Sequence, residues 1–209
     1  RLGSSRLAFE AEHLTVVSHQ RLREALEGME GRAPELEATE GIVESLRRTK
    51  EPQELESLAK AIHVADAAFD TVAATLRPGM TEREVGWLIE QAMREYGADG
   101  ESFPTIVASG PNAALPHHRP SDRPFQEGEP IVIDMGASVD GYCSDMTRTI
   151  CLGPPDETFT RIYAIVHTAQ LAAISTVAPG MTGEEADGLA RSVIEEAGYG
   201  ENFGHGLGH

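Results

Sequence analysis

Two aspartates lie in a segment whose residue types predict a β-hairpin. Asp134 interrupts an apolar strand over residues 131–136, and Asp145 lies on the predicted partner strand, residues 142–151. Between the two strands stands Asp140-Gly141, a dipeptide typical of a two-residue hairpin turn. The hairpin therefore brings two carboxylates, which are ligands that hard divalent cations prefer, into one local structure.

The turn predicts which residues face each other. With Asp140-Gly141 at its centre, Asp145 faces Gly136. By the same register Thr147 faces Asp134, so the two aspartates become diagonal neighbours on one face. A loop longer by one residue would change this pairing. Two buried like charges repel unless they share a proton or a cation lies between them, which favours a metal site. The alternative is that one aspartate only fixes the turn and the other is a solvated strand residue.

The segment 202–209 contains a second candidate set. His205 and His209 lie four positions apart among glycines, where the chain is too pliant for a helix and can approach a ligand closely. Isolated histidines are more often core or surface residues than ligands. Beside a hairpin with two carboxylates, however, this spacing favours metal ligation.

A third cluster lies in a loop before the first hairpin strand. Residues 115–120 include His117 and His118, and they follow the small and polar segment 108–112. Taken alone, this would be an ordinary polar loop with no catalytic role. Its position just before the strand of Asp134 makes it a candidate part of the site.

An internal repeat predicts the elements that position these residues. Residues 77–84 reappear as residues 178–185, 101 residues later, and each copy follows a long helical pattern, the first over residues 54–76. In each copy a Pro-Gly turn precedes Thr81 or Thr182, which are good N-caps with a glutamate at the capping-box position. The second helices run to a glycine at 97 and 198. The duplication predicts an α+β domain with pseudo-twofold symmetry.

The first fifty residues have a different organisation. They show a strand-like run at 13–17, a helix-like run at 20–26, an irregular acidic stretch and a short helix near 43–48. Because this is too little for an independent core, we expect residues 1–50 to be the end of a preceding domain plus a linker, and residues 51–209 to form the main domain. Both chain ends look like cuts through a longer protein.

Composition narrows the class of partner. A formal net charge of -17 argues against a nucleic-acid or anionic-membrane partner. The apolar runs are too short to span a bilayer, and residues 1–10 lack the apolar region of a signal peptide. Cys143 and Cys151 fall eight residues apart on one predicted strand and cannot form a local disulfide, which favours a reducing, cytoplasmic location.

Taken together, these motifs closely resemble the Xaa-Pro peptidases of the pita-bread metallopeptidase family (M24 type), the group of Xaa-Pro aminopeptidases and prolidases. The resemblance is strong over residues 54–209 and looser before them. It implies a pita-bread fold like that of creatinase and aminopeptidase, incomplete at the C-terminus and preceded by the tail of an N-terminal α/β domain. The matching motifs, in chain order, are residues 109–112, 115–117, 132–136, 142–149 and 204–209.

The resemblance also implies roles for single residues. Asp134, Asp145 and His209 match metal ligands, with Asp145 bridging two ions, and His117 and His205 match histidines that contact substrate and stabilise the transition state. His118 matches no role. Two divalent ions are implied, with manganese favoured over cobalt, iron(II) or zinc. Two glutamates and a further histidine that complete the family's site would lie beyond residue 209.

The implied reaction is hydrolysis of the bond before proline in Xaa-Pro peptides or dipeptides, by a hydroxide that bridges the two metals. The implied assembly is a homodimer, and the 209-residue chain alone is expected to be inactive. Two alternatives are a non-catalytic pita-bread module that binds peptides or proteins, and a metal-free C–N hydrolase resembling creatinase.

Overall fold

A computed structural model describes residues 5–29, 31 and 33–208 of the chain. The chain divides into two compact units, residues 1–52 and residues 53–209. Whether the first unit is the end of a separate domain stays a prediction.

The first unit contains two parallel strands and two helices. β1 pairs with β2 in parallel, with Arg6 opposite Glu35 and Glu10 opposite Thr39. Among the described residues of this unit, Leu26 is the one buried apolar side chain. The elements are β1 (Arg6–Glu10), α1 (Val16–Glu27), β2 (Glu35–Thr39) and α2 (Ile42–Arg48).

Two of the sequence predictions for this unit are wrong. The run 13–17 is the entry into α1, because the Thr15 side chain accepts a hydrogen bond from the Ser18 N–H and starts the helix. The stretch predicted to be irregular contains β2, whose acidic sequence gives no strand signal and which is held by its ladder to β1. The short helix α2 is confirmed.

The second unit is an α+β assembly with two antiparallel sheets of three strands, in the orders β3–β6–β7 and β4–β5–β8. No described helix is both long and apolar enough to cross a bilayer. The helices and strands are α3 (Pro52–Ala73), α4 (Glu82–Glu95), β3 (Gly100–Glu101), β4 (Ile106–Ser109), β5 (Pro130–Met135), β6 (Ala137–Val139), β7 (Tyr142–Cys143), β8 (Met146–Cys151), α5 (Glu157–Thr176) and α6 (Gly183–Glu196).

The predicted hairpin turn and register are confirmed. Asp140 and Gly141 have φ of 52° and 79°, the left-handed backbone that a type I′ turn requires at both central residues. Asp134 lies opposite Thr147 in the ladder of β5 and β8. Cys143 and Cys151 are free thiols, as predicted, but they lie on two strands, β7 and β8, and not on one.

The predicted partner strand is interrupted where the sequence suggested continuity. Between β7 and β8 the ladder opens, and Ser102 enters it by donating from its N–H to the Gly136 carbonyl at 2.9 Å. Its hydroxyl donates to the Ser144 carbonyl at 2.6 Å. A Cβ at Gly136 would overlap both the Ser144 carbonyl and the Ser102 hydroxyl, so only glycine fits there.

The core explains the direction of Asp134. Along β5 the residues Ile131, Ile133 and Met135 are buried and pack in one cluster with apolar side chains of α3 and α4. Because side chains alternate along a strand, Asp134 lies on the opposite face, away from this core.

The repeat is confirmed as two helix pairs, α3–α4 and α5–α6. The Thr81 hydroxyl accepts from the Glu84 N–H at 3.2 Å, and the Glu84 carboxylate accepts from the Thr81 N–H at 2.8 Å. Thr182 and Glu185 form the same capping box, with distances of 3.2 Å and 2.7 Å. Each second helix is followed by a glycine with positive φ, as the sequence predicted.

Candidate active site

The carboxylate hairpin is the first part of the site. Asp134 is half-buried in the middle of the sheet, and its Oδ1 accepts a hydrogen bond from the Thr147 hydroxyl at 2.7 Å across the strand pair. Asp145 is exposed and lies two residues before Thr147, in the interruption between β7 and β8. The confirmed register therefore gives both aspartates the same side of the hairpin, and their approach as ligands of one metal stays a prediction.

The histidine pair is the second part. The rings of His117 and His205 lie 5.9 Å apart between centroids, edge to face at 71°. Both line an open cleft of about 470 Å³, together with residues of the 115–119 loop. Two imidazoles on one cleft can donate hydrogen bonds to the same bound group, so the structure brings together two residues that lie far apart in the sequence.

The predicted metal ligands are not brought together in full. Within residues 5–29, 31 and 33–208, no three His, Cys, Asp or Glu side chains are arranged as a ready metal site. His209 lies outside the described residues. The donor set of two carboxylates and an imidazole nevertheless fits a divalent cation of the manganese, cobalt or iron(II) type by its chemistry.

Sequence reasoning missed Glu82, the first residue of α4. Its side chain is 0% exposed, and its two carboxylate oxygens accept six hydrogen bonds of 2.6–3.0 Å. Burial alone would raise the pKa of Glu82, but the hydrogen bonds outweigh it and lower that pKa from 4.5 to about 2. The donors are the side chains of Ser109, Asn112, His118 and Ser121 and the backbone N–H groups of Ser109 and Ser121.

His118, which had no role in the sequence interpretation, is one of these donors. Its Nε2 lies 2.8 Å from Glu82 Oε2, and its side chain is 12% exposed. Because a carboxylate can only accept, Nε2 carries the proton. An acidic residue in the first turn of a helix is common, so Glu82 gave no local signal. The one signal in the sequence was that the second copy of the repeat has Gly183 at the position of Glu82.

A second charged group holds the chain around His205. Arg191 and Asp187, one turn apart on α6, form an ion pair at 2.6 Å. Arg191 donates to the carbonyls of Phe203 and His205 at 2.9 Å and 2.7 Å, and Asp187 accepts from the Leu207 N–H at 2.6 Å. The hydrogen bond from Arg191 and that from the Leu207 N–H lower the pKa of Asp187.

The duplicated helix pair, the carboxylate hairpin and the paired histidine loops define a protein of the pita-bread class, and solved structures bear this out. The chain superposes on the Xaa-Pro dipeptidase from Bacillus anthracis with a TM-score of 0.92 and 43% identity, covering 98% of this chain and 56% of that one. The chain belongs to metallopeptidase family M24, whose sequence profile matches residues 56–209.

Relatives identified by sequence agree with this family. The chain is 39% identical over 207 residues to an uncharacterised peptidase of Bacillus subtilis, covering 99% of this chain and 57% of that protein. It is 42% identical over 175 residues to the Xaa-Pro dipeptidase of Pyrococcus furiosus, covering 84% and 50%. The chain thus spans about half the length of the curated relatives it matches.

Proposed function

We propose that the protein is a metal-dependent exopeptidase that hydrolyses the bond before proline in Xaa-Pro peptides or dipeptides. The observation that carries this proposal is the meeting of His117 and His205 at one cleft, 5.9 Å apart, in a chain of family M24 that has two aspartates on one hairpin. Relatives named Xaa-Pro dipeptidase support the substrate class.

Each residue has a proposed task. Asp134, Asp145 and His209 would hold two divalent metal ions, manganese first among them. When bound, such ions supply an activated water and polarise the peptide carbonyl under attack. His117 and His205 donate hydrogen bonds to the substrate oxygen that gains negative charge in the transition state, which stabilises that state more than the ground state.

The whole protein carries the activity in this proposal. Since the relatives are nearly twice as long as this chain, we propose that the 209-residue chain alone is inactive and that further ligands lie outside it. A homodimer is proposed from the family resemblance alone, and a cytoplasmic location from the two cysteines that form no local disulfide. Size-exclusion chromatography of the full-length protein tests the first, and fractionation of the source cells tests the second.

The decisive experiment measures metal content and Xaa-Pro dipeptide cleavage for the full-length protein, for Asp145→Asn and for Asp140→Asn. The last variant is a matched control, because it makes the same chemical change in the same hairpin at an exposed turn residue. We expect about two metal ions per chain in wild type. Activity should be lost in Asp145→Asn and kept in Asp140→Asn.

Other outcomes would select the alternatives. Absence of both metal and cleavage in the wild-type protein would overturn the peptidase proposal in favour of a peptide-binding or protein-binding module. Cleavage of a creatine-like C–N bond by metal-free protein would instead favour the creatinase-like hydrolase.

A further inference from the structure

We propose that Glu82 is a positioning residue for His117: one buried carboxylate ties both ends of the loop 109–121 and thereby orients His117 toward His205. The expected effect on kcat rests on the proposed function. Its structural content, the orientation of one imidazole by a distant carboxylate, can be measured without any substrate.

The two oxygens of Glu82 divide the loop between them. Oε1 accepts from the N–H and hydroxyl of Ser109, both at 2.8 Å, and from the Asn112 side chain at 2.9 Å, which holds the start of the loop. Oε2 accepts from His118 at 2.8 Å and from the N–H and hydroxyl of Ser121 at 3.0 Å and 2.6 Å, which holds its end. The carboxylate therefore acts as a clamp on both ends.

Glu82 is itself fixed in place. It is the first residue of α4, directly after the N-cap Thr81, so its backbone is set by the capped helix end. Its side chain is fully buried, which leaves the carboxylate no alternative solvation. Because six donors of the loop 109–121 bind this one fixed carboxylate, the loop is held in a single arrangement.

His118 connects this clamp to the cleft. Its ring contacts Glu82, while the ring of His117, one residue earlier, contacts His205. Both rings line the cleft, and because the two residues share one peptide bond, fixing the ring of His118 on Glu82 restrains the backbone that sets the direction of His117. The His117 side chain is exposed, so its direction depends on how the loop backbone is held.

The outer side of the clamp is closed by charged side chains. Arg123 donates to the Ser109 hydroxyl at 2.8 Å and forms a two-bond ion pair with Glu129 at 2.7 Å and 2.8 Å. Gly110 has φ of 52°, and a Cβ there would lie 2.6 Å from Arg123 Nη2. The Ser109 hydroxyl therefore bridges the two charged groups, because it donates to the Glu82 carboxylate and accepts from the Arg123 guanidinium.

The test compares Glu82→Gln with Glu84→Gln in the full-length protein. Glutamine at 82 keeps the shape but has only one oxygen, so one of the backbone N–H groups of Ser109 and Ser121 must face an NH2 group. Glu84 lies two residues after Glu82 on α4, where it completes the capping box, and glutamine preserves that cap. If Glu82 had a purely structural role, Glu82→Gln would lower the stability of the protein and leave kcat of the folded enzyme unchanged.

We expect Glu82→Gln to lower kcat roughly 100-fold with unchanged metal content, because a misplaced group costs about that much. Glu84→Gln should stay within about twofold of wild type. His118→Leu should lower kcat about tenfold, and His118→Gln, which restores a donor to Glu82, should recover most of that loss. Wild-type kcat in folded Glu82→Gln would overturn the proposal.

A second readout does not need activity. In metal-free protein labelled at histidine, wild type and Glu84→Gln should show a nuclear Overhauser contact between the His117 and His205 rings, and Glu82→Gln should lose it. If the wild-type enzyme cleaves no Xaa-Pro peptide, the proposed function fails, while this contact and its loss still decide the positioning role. If the contact between the two rings persists in Glu82→Gln, the positioning role of Glu82 is disproved.

Discussion

The two copies of the helix pair cap their second helix in the same way but differ in the residue directly after the cap. Thr81 and Thr182 make matching capping boxes, and each second helix ends before a glycine with positive φ. The residue after the N-cap, however, is Glu82 in the first copy and Gly183 in the second. The first is fully buried among six donors, whereas Gly183 has no atom within 4 Å of where its Cβ would be.

Both copies nevertheless hold a loop that contributes a histidine to the cleft, His117 in the first and His205 in the second. The first copy uses the buried carboxylate of Glu82, and the second uses the partly exposed pair of Asp187 and Arg191, with side-chain exposures of 21% and 29%. Arg191 also lies 4.4 Å from the Phe203 ring. The same backbone thus supports two chemically different anchors. A dry hydrogen-bonded anion and a hydrated ion pair respond differently to mutation, acid and salt.

The largest expected difference is in stability. Glu82→Ala leaves six donors without their acceptor, including two backbone N–H groups, and should reduce the free energy of unfolding by about 4 kcal/mol. Asp187→Ala removes a partly hydrated partner and should cost clearly less. Urea unfolding of both variants in the full-length protein measures this. Equal losses would contradict the distinction between the two anchors.

The next largest expected difference is in the response of the two anchors to acid. The pKa of Glu82 is depressed in the folded state, so its stabilisation is complete above pH 4.5 and is lost as the pH falls toward about 2. Over that range wild type should lose about 3 kcal/mol more of its unfolding free energy than Glu82→Gln. Unfolding by urea at several pH values tests this. Parallel curves for the two proteins would show that the carboxylate is not held as an anion.

Salt should act on the second anchor alone. Raising NaCl from about 0.05 M to about 1 M screens the pair of Asp187 and Arg191, so hydrogen exchange at the Leu207 N–H should become faster. The N–H groups of Ser109 and Ser121 should exchange at unchanged rates, because Glu82 is buried and not screened. Arg191→Met is the control, in which the Leu207 N–H should exchange fast at either salt concentration.

The smallest effect is one that should be equal in both copies. Thr81→Ala and Thr182→Ala each remove the same capping hydrogen bond and should each cost about 1 kcal/mol. Thermal unfolding of the two variants checks this. A clearly larger loss for Thr81→Ala would mean that the cap and Glu82 are coupled through the helix end.

Local rules predicted much of this structure. Asp140-Gly141 defines the hairpin turn and register without help from the rest of the chain, and each Thr with a Glu three residues later defines a helix start. The same holds for the alternation along β5 that separates Asp134 from the core. These features depend on neighbours within a few residues, which a single sequence displays.

The features that sequence reasoning missed depend on distant contacts. β2 exists through its parallel pairing with β1, and the interruption at Gly136 exists through Ser102, which directly follows β3. Glu82 takes its importance from donors that lie 27 to 39 residues away. Periodicity contains no information about such partners. The meeting of His117 and His205 could be expected only through the family resemblance.

The interruption of the hairpin at Gly136 has a consequence for mutational tolerance. The neighbouring positions, Met135 and Ala137, are buried in the core, where a side chain of similar volume can still be accommodated. Position 136 has no such freedom, since a single methyl group would collide with the Ser144 carbonyl and the Ser102 hydroxyl at once. A substitution at position 136, two residues after Asp134, would therefore have to move the backbone that carries one of the candidate ligands.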